Sequence, residues 1–257
     1  MKRSIFALLM LLILPSAGAK AQMIDDFDAF ITIYHSPQSS WATAVGELMD
    51  SVAGSEGHYW EVLYMAEDVL YDASSPLRND LLWEHFLRHA VGEKSPLDEP
   101  SKERYHSILK LVVRNQQGSV AHNFTYTLAD GSQGSLHAIS APYTVIYFYN
   151  PDCSYCARVK AQIEATGYLE MLHKKGLVEV LALYPDGDLA GWQRTLSQNP
   201  KWWITAYDKE QKINSAGLYD LKAIPTLYLL DSQKCVLLKD PTVETFLGAL
   251  ERILIEN

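Results

Sequence analysis

The sequence predicts two parts of different class: an all-helical region up to about residue 117, and after it an α/β domain with a mixed central sheet flanked by helices. Three observations carry this. Through the first part apolar residues recur at three- and four-residue spacing, as in Leu77, Leu81, Leu82, Phe86, Leu87 and Ala90, which is the period of a helix face. Beyond it the period drops to two, with Phe124, Tyr126 and Leu128 alternating with polar residues. A continuous apolar, β-rich run, Thr144 to Tyr149, and a second run, Val178 to Tyr184, then read as buried strands, the first covered on both faces.

In chain order, Lys2 and Arg3 precede an apolar run from Ile5 to Leu14, followed by Pro15 and the small residues Ser16 to Ala19. That is the order of a secretory signal peptide. The run is too short to cross a bilayer, which takes about 20 apolar residues. Small-x-small sites at Ala17-Gly18-Ala19 and Ala19-Lys20-Ala21 put cleavage before Lys20 or Gln22, so residues 1–21 are assigned to the leader. Neither site carries a cysteine, so no lipid attachment is expected and the compartment is the periplasm. With Lys2, Arg3 and Lys20 removed, the formal charge moves from −9 to −12. No basic field remains to attract a polyanion, which argues against a nucleic-acid partner.

Residues 22–117 form the predicted helical domain. Its breaks fall at Ser36 to Ser39, Gly54 to Gly57, Ala73 to Pro76 and Gly92 to Pro100, each rich in Gly, Pro or Ser, and Leu77 to Val91 and Tyr105 to Val113 are its clearest helices. Asn115 to Gly118 serves as the linker. In residues 118–257 a hairpin turns at Asp130-Gly131 and returns over Ser135 to Ile139. Strand Thr144 to Tyr149 leads into a helix from about Cys153 to Ala165, then strand Val178 to Tyr184. Helical pattern follows at Leu189 to Leu196 and Ile213 to Leu218, and strands Thr226 to Leu230 and Val236 to Leu238 flank a turn. The chain ends on one helical face from Val243 to Leu254, with Asp240 as the expected cap and Pro241 in the first turn.

Export gives the three cysteines, Cys153, Cys156 and Cys235, their meaning, because disulfides persist in oxidising compartments. A Cys153–Cys156 bridge closes a loop too small to constrain much of the unfolded chain, so stability is a poor explanation for the pair. Cys153 opens a helix directly after a buried strand, where unpaired N–H groups and the helix dipole favour a thiolate. It is the expected nucleophile. Cys156, one turn on, shares a stripe with Val159 and Ile163 that points at the sheet. It is expected to be buried and to resolve the mixed disulfide. Ala223-Ile224-Pro225-Thr226 stands where a strand begins; a cis Ile224–Pro225 bond there would set a tight turn and bring the Ile224 backbone beside the cysteines for an extended substrate to pair with. Ile224, with Ser154 and Tyr155 between the cysteines, forms the expected substrate contact.

The runs TVIYFYNPDCSYCARVK (Thr144 to Lys160) and AIPTLYLL (Ala223 to Leu230) resemble the thioredoxin fold, and the hairpin from Ala121 to Leu136 is similar to the N-terminal extension of TlpA/ResA-type exported thiol-disulfide oxidoreductases. With SPLRND at Ser75 to Asp80 and LYDLKAIPTLYLLD at Leu218 to Asp231, the whole chain after its leader resembles a Bacteroidetes arrangement in which a helical domain of unknown function precedes such a module. The resemblance implies Cys153 as attacking thiol, Cys156 as resolving thiol and Pro225 as the cis-proline. Two departures stand out. Where thioredoxin has a buried Asp six residues before its first cysteine this chain has Tyr147, and where ResA-like members have a Glu three residues after the second it has Val159.

The implied activity is disulfide exchange with protein thiols and disulfides, in the reductase or isomerase direction, with no cofactor. Electrons would come from a membrane-borne or periplasmic donor, since the chain has no second CxxC. The competing reading is a non-catalytic binding protein whose helical domain captures a partner. A zinc site is disfavoured because tetrahedral zinc wants four ligands, and no metal is expected. Cys235 is read as a half-buried free thiol and His85 and His89, four apart on one helix face, as solvated side chains. Trp60, Trp83, Trp202 and Trp203 are assigned to packing.

Overall fold

The structure, a computed structural model, describes residues 17–257. The core of the expected leader, residues 1–16, lies outside the described residues, and residues 17–21 open the first helix. Among the described residues no helix is long and apolar enough to cross a membrane. The chain divides into two compact units, one ending at Leu109 and the other spanning Lys110–Asn257.

Among the described residues the regular elements of the first unit are all helical. It contains α1 (Ala17–Tyr34), α2 (Trp41–Val52), α3 (Glu56–Leu70), α4 (Asp80–Ala90) and most of α5 (Glu99–Val112). Its interior is aromatic: Trp83 is fully buried among the rings of Tyr71, Phe86 and Tyr105. Ser55 caps α3, and Asn79 caps α4 by accepting from the Leu82 N–H at 3.1 Å. The helix expected from Leu77 therefore starts at Asp80, because Asn79 is extended and its side chain satisfies the first turn. His89 is not solvated as expected: its Nδ1 lies 2.8 Å from the Tyr59 hydroxyl and its Nε2 3.0 Å from Asp50. Among the described residues no group of three or more His, Cys, Asp or Glu could hold a metal ion.

The second unit carries a seven-stranded sheet. Its strands are β1 (Thr125–Thr127), β2 (Gln133–Ser135), β3 (Tyr143–Phe148), β4 (Val178–Tyr184), β5 (Ile204–Tyr207), β6 (Thr226–Leu230) and β7 (Val236–Lys239), in the spatial order β2-β1-β5-β4-β3-β6-β7. The pairs β3/β4 and β4/β5 are parallel; the others are antiparallel. The helices are α6 (Ser154–Ala165), α7 (Tyr168–Lys174), α8 (Leu189–Thr195), α9 (Lys212–Ser215) and α10 (Val243–Glu256). Strand alternation divides the core between the two faces. Val145 and Tyr147 of β3 pack with Val159, Ile163 and Leu250 from α6 and α10, while Ile146 and Phe148 pack on the other face with Phe124, Leu136 and Ile213.

Three expectations shift. The returning hairpin strand is β2 at Gln133–Ser135, and Leu136–Ala138 forms a 3-10 turn; an edge strand pairs through its backbone and needs no apolar pattern. The last helix is capped by Thr242, whose hydroxyl accepts from the Thr245 N–H at 3.2 Å, so Asp240 and Pro241 precede the cap. The short elements α7 and β5 add to those the sequence predicts.

Candidate redox site

The site forms where β3 ends. Asn150 shapes the turn, its side chain accepting from the Asp152 N–H at 2.9 Å and its carbonyl from the Cys153 N–H at 3.1 Å. Cys153 is thereby placed as the N-cap of α6, with extended φ/ψ, and its sulfur accepts the Cys156 N–H at 3.0 Å. A sulfur in that position takes up one of the helix's unpaired donors and sits at the positive end of its dipole. Cys153 is part-exposed, Ser154 exposed, and Tyr155 is 54% exposed with the Arg158 guanidinium 5.3 Å from its ring. The residues between the cysteines thus face solvent.

Cys156 faces inward. It is 2% exposed and shares the buried stripe of Val159 and Ile163. Burial pushes its thiol up to about 12, with Cys153 adding to the rise and the Asn150 backbone opposing it. Desolvation disfavours the charged form of such a sulfur.

Antiparallel pairing brings the third part in. Phe148, the last residue of β3, is opposite Thr226, the first of β6, so the residues before Thr226 lie beside the cysteine turn. The Ile224–Pro225 peptide bond is cis, and the Ile224 carbonyl oxygen lies 3.8 Å from the Cys153 sulfur. Thr226 closes this loop by donating to the Ala223 carbonyl at 2.6 Å.

Beneath the pair lies an aromatic floor. Tyr147 stacks on Tyr149 with centroids 5.5 Å apart and planes 4° apart, and meets Trp203 edge-on at 5.9 Å. The Tyr147 hydroxyl donates to the Cys156 carbonyl at 2.7 Å. Sequence reasoning marks Tyr147 only by the Asp it replaces; the period-two pattern of β3, which sends residues 145, 147 and 149 to the α6 face, is the signal that locates it under the helix. Cys235, by contrast, is half-buried in the turn before β7, its N–H held by Asp231 at 2.8 Å. Trp202, assigned to packing, stacks on His173 with centroids 4.5 Å apart.

Residues 142–236 match a family model described as Thioredoxin-like, and residues 17–115 match a domain of unknown function, DUF5106. A thioredoxin-like protein from Bacteroides caccae is 34% identical, over 91% of this chain and 84% of that one, with a TM-score of 0.85. The C-terminal domain of a protein from Bacteroides fragilis is 41% identical over 53% of this chain and 98% of its own, with a TM-score of 0.52. A conserved protein of unknown function from the same species is 34% identical over 52% of this chain and 98% of its own, with a TM-score of 0.51. No curated protein matches the chain.

Proposed function

The chain belongs to the thioredoxin-like proteins and carries a DUF5106 match ahead of its thioredoxin-like domain, and from that premise we propose that it is a periplasmic thiol-disulfide oxidoreductase acting on protein disulfides. The observation that carries the reading is the Cys153 sulfur held at the tip of α6, accepting the Cys156 N–H at 3.0 Å. In the reductase direction the Cys153 thiolate attacks one sulfur of a substrate disulfide; a Cys153–substrate bond forms, the substrate S–S bond breaks, and the departing thiolate takes a proton. The Cys156 thiolate then attacks the Cys153 sulfur, releasing the second substrate thiol and leaving the Cys153–Cys156 disulfide. Two electrons from a membrane-borne or periplasmic dithiol donor restore the pair.

Substrate would lie over Ser154 and Tyr155 and along the Ile224-Pro225 segment, whose backbone flanks the attacking sulfur. In insulin reduction with dithiothreitol, Cys153→Ser is expected to fall to the rate of dithiothreitol alone; reduced Cys156→Ser, freed of dithiothreitol and mixed with oxidised substrate, is expected to accumulate a mixed disulfide on Cys153. A Cys153→Ser protein as active as the wild type overturns the reading. Export is checked separately: the mature N-terminus is expected at Lys20 or Gln22.

A further inference from the structure

Both polar backbone groups of Cys156 are held by the site. Its N–H reaches the Cys153 sulfur at 3.0 Å, and its carbonyl receives the Tyr147 hydroxyl at 2.7 Å. In a helix that carbonyl ordinarily receives the N–H four residues on, so the hydroxyl is an additional anchor and no remedy for an orphaned group. It comes from β3, which hydrogen-bonds to β4 on one side and β6 on the other. The covalent route from β3 to the start of α6 is the Tyr149–Cys153 turn, part of which is solvent-exposed. Tyr147 therefore ties the helix tip straight to the sheet.

We propose that Tyr147 is a positioning residue for the cysteine pair: by fixing the carbonyl of the Cys156–Ala157 peptide from below, its hydroxyl holds the first turn of α6 in place, and with it the preceding peptide whose N–H, that of Cys156, is aimed at the Cys153 sulfur, and so stabilises the reduced pair. The inference rests on the oxidoreductase reading. Three features support it. The ring is 2% exposed and is clamped between Tyr149 and Trp203, so the hydroxyl has little freedom. Burial, reinforced by negative charge on Cys156 and Cys153, pushes its ionisation far above neutrality, so it remains a donor wherever the thiols react. A phenylalanine would fill nearly the same volume, so the oxygen is not needed for packing.

The test is the equilibrium of the pair with glutathione, together with the rate of Cys153 alkylation by iodoacetamide at pH 7. An N–H donor to sulfur favours the reduced form, because a disulfide sulfur is a poor acceptor. Tyr147→Phe is therefore expected to shift the equilibrium at least threefold toward the disulfide and to slow alkylation by a similar factor. Tyr219→Phe is the control. It removes an equivalent hydroxyl-to-carbonyl bond, 2.7 Å to His122, from the opposite face of the sheet, and is expected to leave both readouts unchanged. A folded Tyr147→Phe protein with the wild-type equilibrium and rate overturns the proposal. If that variant does not fold, 3-fluorotyrosine at position 147, a stronger donor of nearly the same shape, is expected to shift the equilibrium toward the thiols; no shift overturns it. A wild-type pair that does not exchange with glutathione at all overturns the oxidoreductase reading itself, an outcome distinct from either.

Discussion

Under the proposed exchange, Cys156 sets how long a mixed disulfide on Cys153 survives. Only a thiolate attacks a disulfide, and burial pushes this thiol up to about 12. In the mixed disulfide the Cys153 charge is gone and its share of the rise with it, but the burial stays. Below its midpoint the thiolate fraction rises tenfold per pH unit, so an ordinary thiol levels off near pH 9 while Cys156 keeps rising. The prediction is that release of thionitrobenzoate from a Cys153 adduct, followed by stopped flow, accelerates close to tenfold per unit from pH 6 to 10 with no plateau. A plateau near pH 8 contradicts it. The burial of Cys156 was legible because helix period sets which residues share a stripe. The Tyr147–Cys156 contact was not, since it joins a strand to a helix through one hydroxyl and no spacing rule encodes it. The bridge from His89 to Tyr59 and Asp50 was hidden for the same reason: its partners lie 30 and 39 residues away.

At the scale of elements, capping is the feature most open to test. Asn79 is extended, its side chain accepts from the Leu82 N–H at 3.1 Å, and Asp80 adds a negative charge in the first turn of α4. Removing such a cap costs about 1 kcal/mol. Asn79→Ala is expected to lower the unfolding free energy of the helical unit by that amount in urea, and Asn79→Asp to retain it. A change of a few tenths for the alanine variant removes the cap's assigned role. Element length also decided what the sequence revealed. The long helices and the largely apolar strands β3 and β4 repeat their pattern enough to be read. Helix α7 spans seven residues and offers only Leu169 and Leu172 as buried positions; β5 spans four and follows directly on Trp202-Trp203, so its bulk reads as packing. Strand β2 is polar, Gln133-Gly134-Ser135, and Gly134 is required there because a Cβ would come within 2.6 Å of the Tyr126 ring.

For the whole molecule, both units bury titrating groups whose charged forms the fold disfavours, and this fixes the sign of its response to alkali. In the helical unit burial pushes Tyr59 up to about 12 and raises Tyr105 as well. In the thioredoxin-like unit it raises Tyr147, Tyr219 and Cys156. Each is an acid whose folded form keeps its proton where the unfolded chain has lost it, from about pH 8.5 for the cysteine and about pH 10 for the tyrosines. Over that interval the folded state binds more protons, so stability falls with rising pH. Each group contributes a loss of about 1.4 kcal/mol per pH unit until its folded midpoint is passed. Lys234 runs the other way. It is 4% exposed, its ammonium donates to Thr144 at 2.9 Å, and burial lowers it, so alkali relieves the cost of holding that charge inside. One group against several does not reverse the trend. Reduced protein is therefore expected to be stable to pH 9, to weaken progressively from pH 10, and to unfold by pH 12, with tyrosinate absorbance near 295 nm appearing together with the loss of near-UV dichroism. Tyrosinate appearing in full while the dichroism stays intact would mean that the rings ionise inside the folded chain, and the burial assigned to them would be wrong.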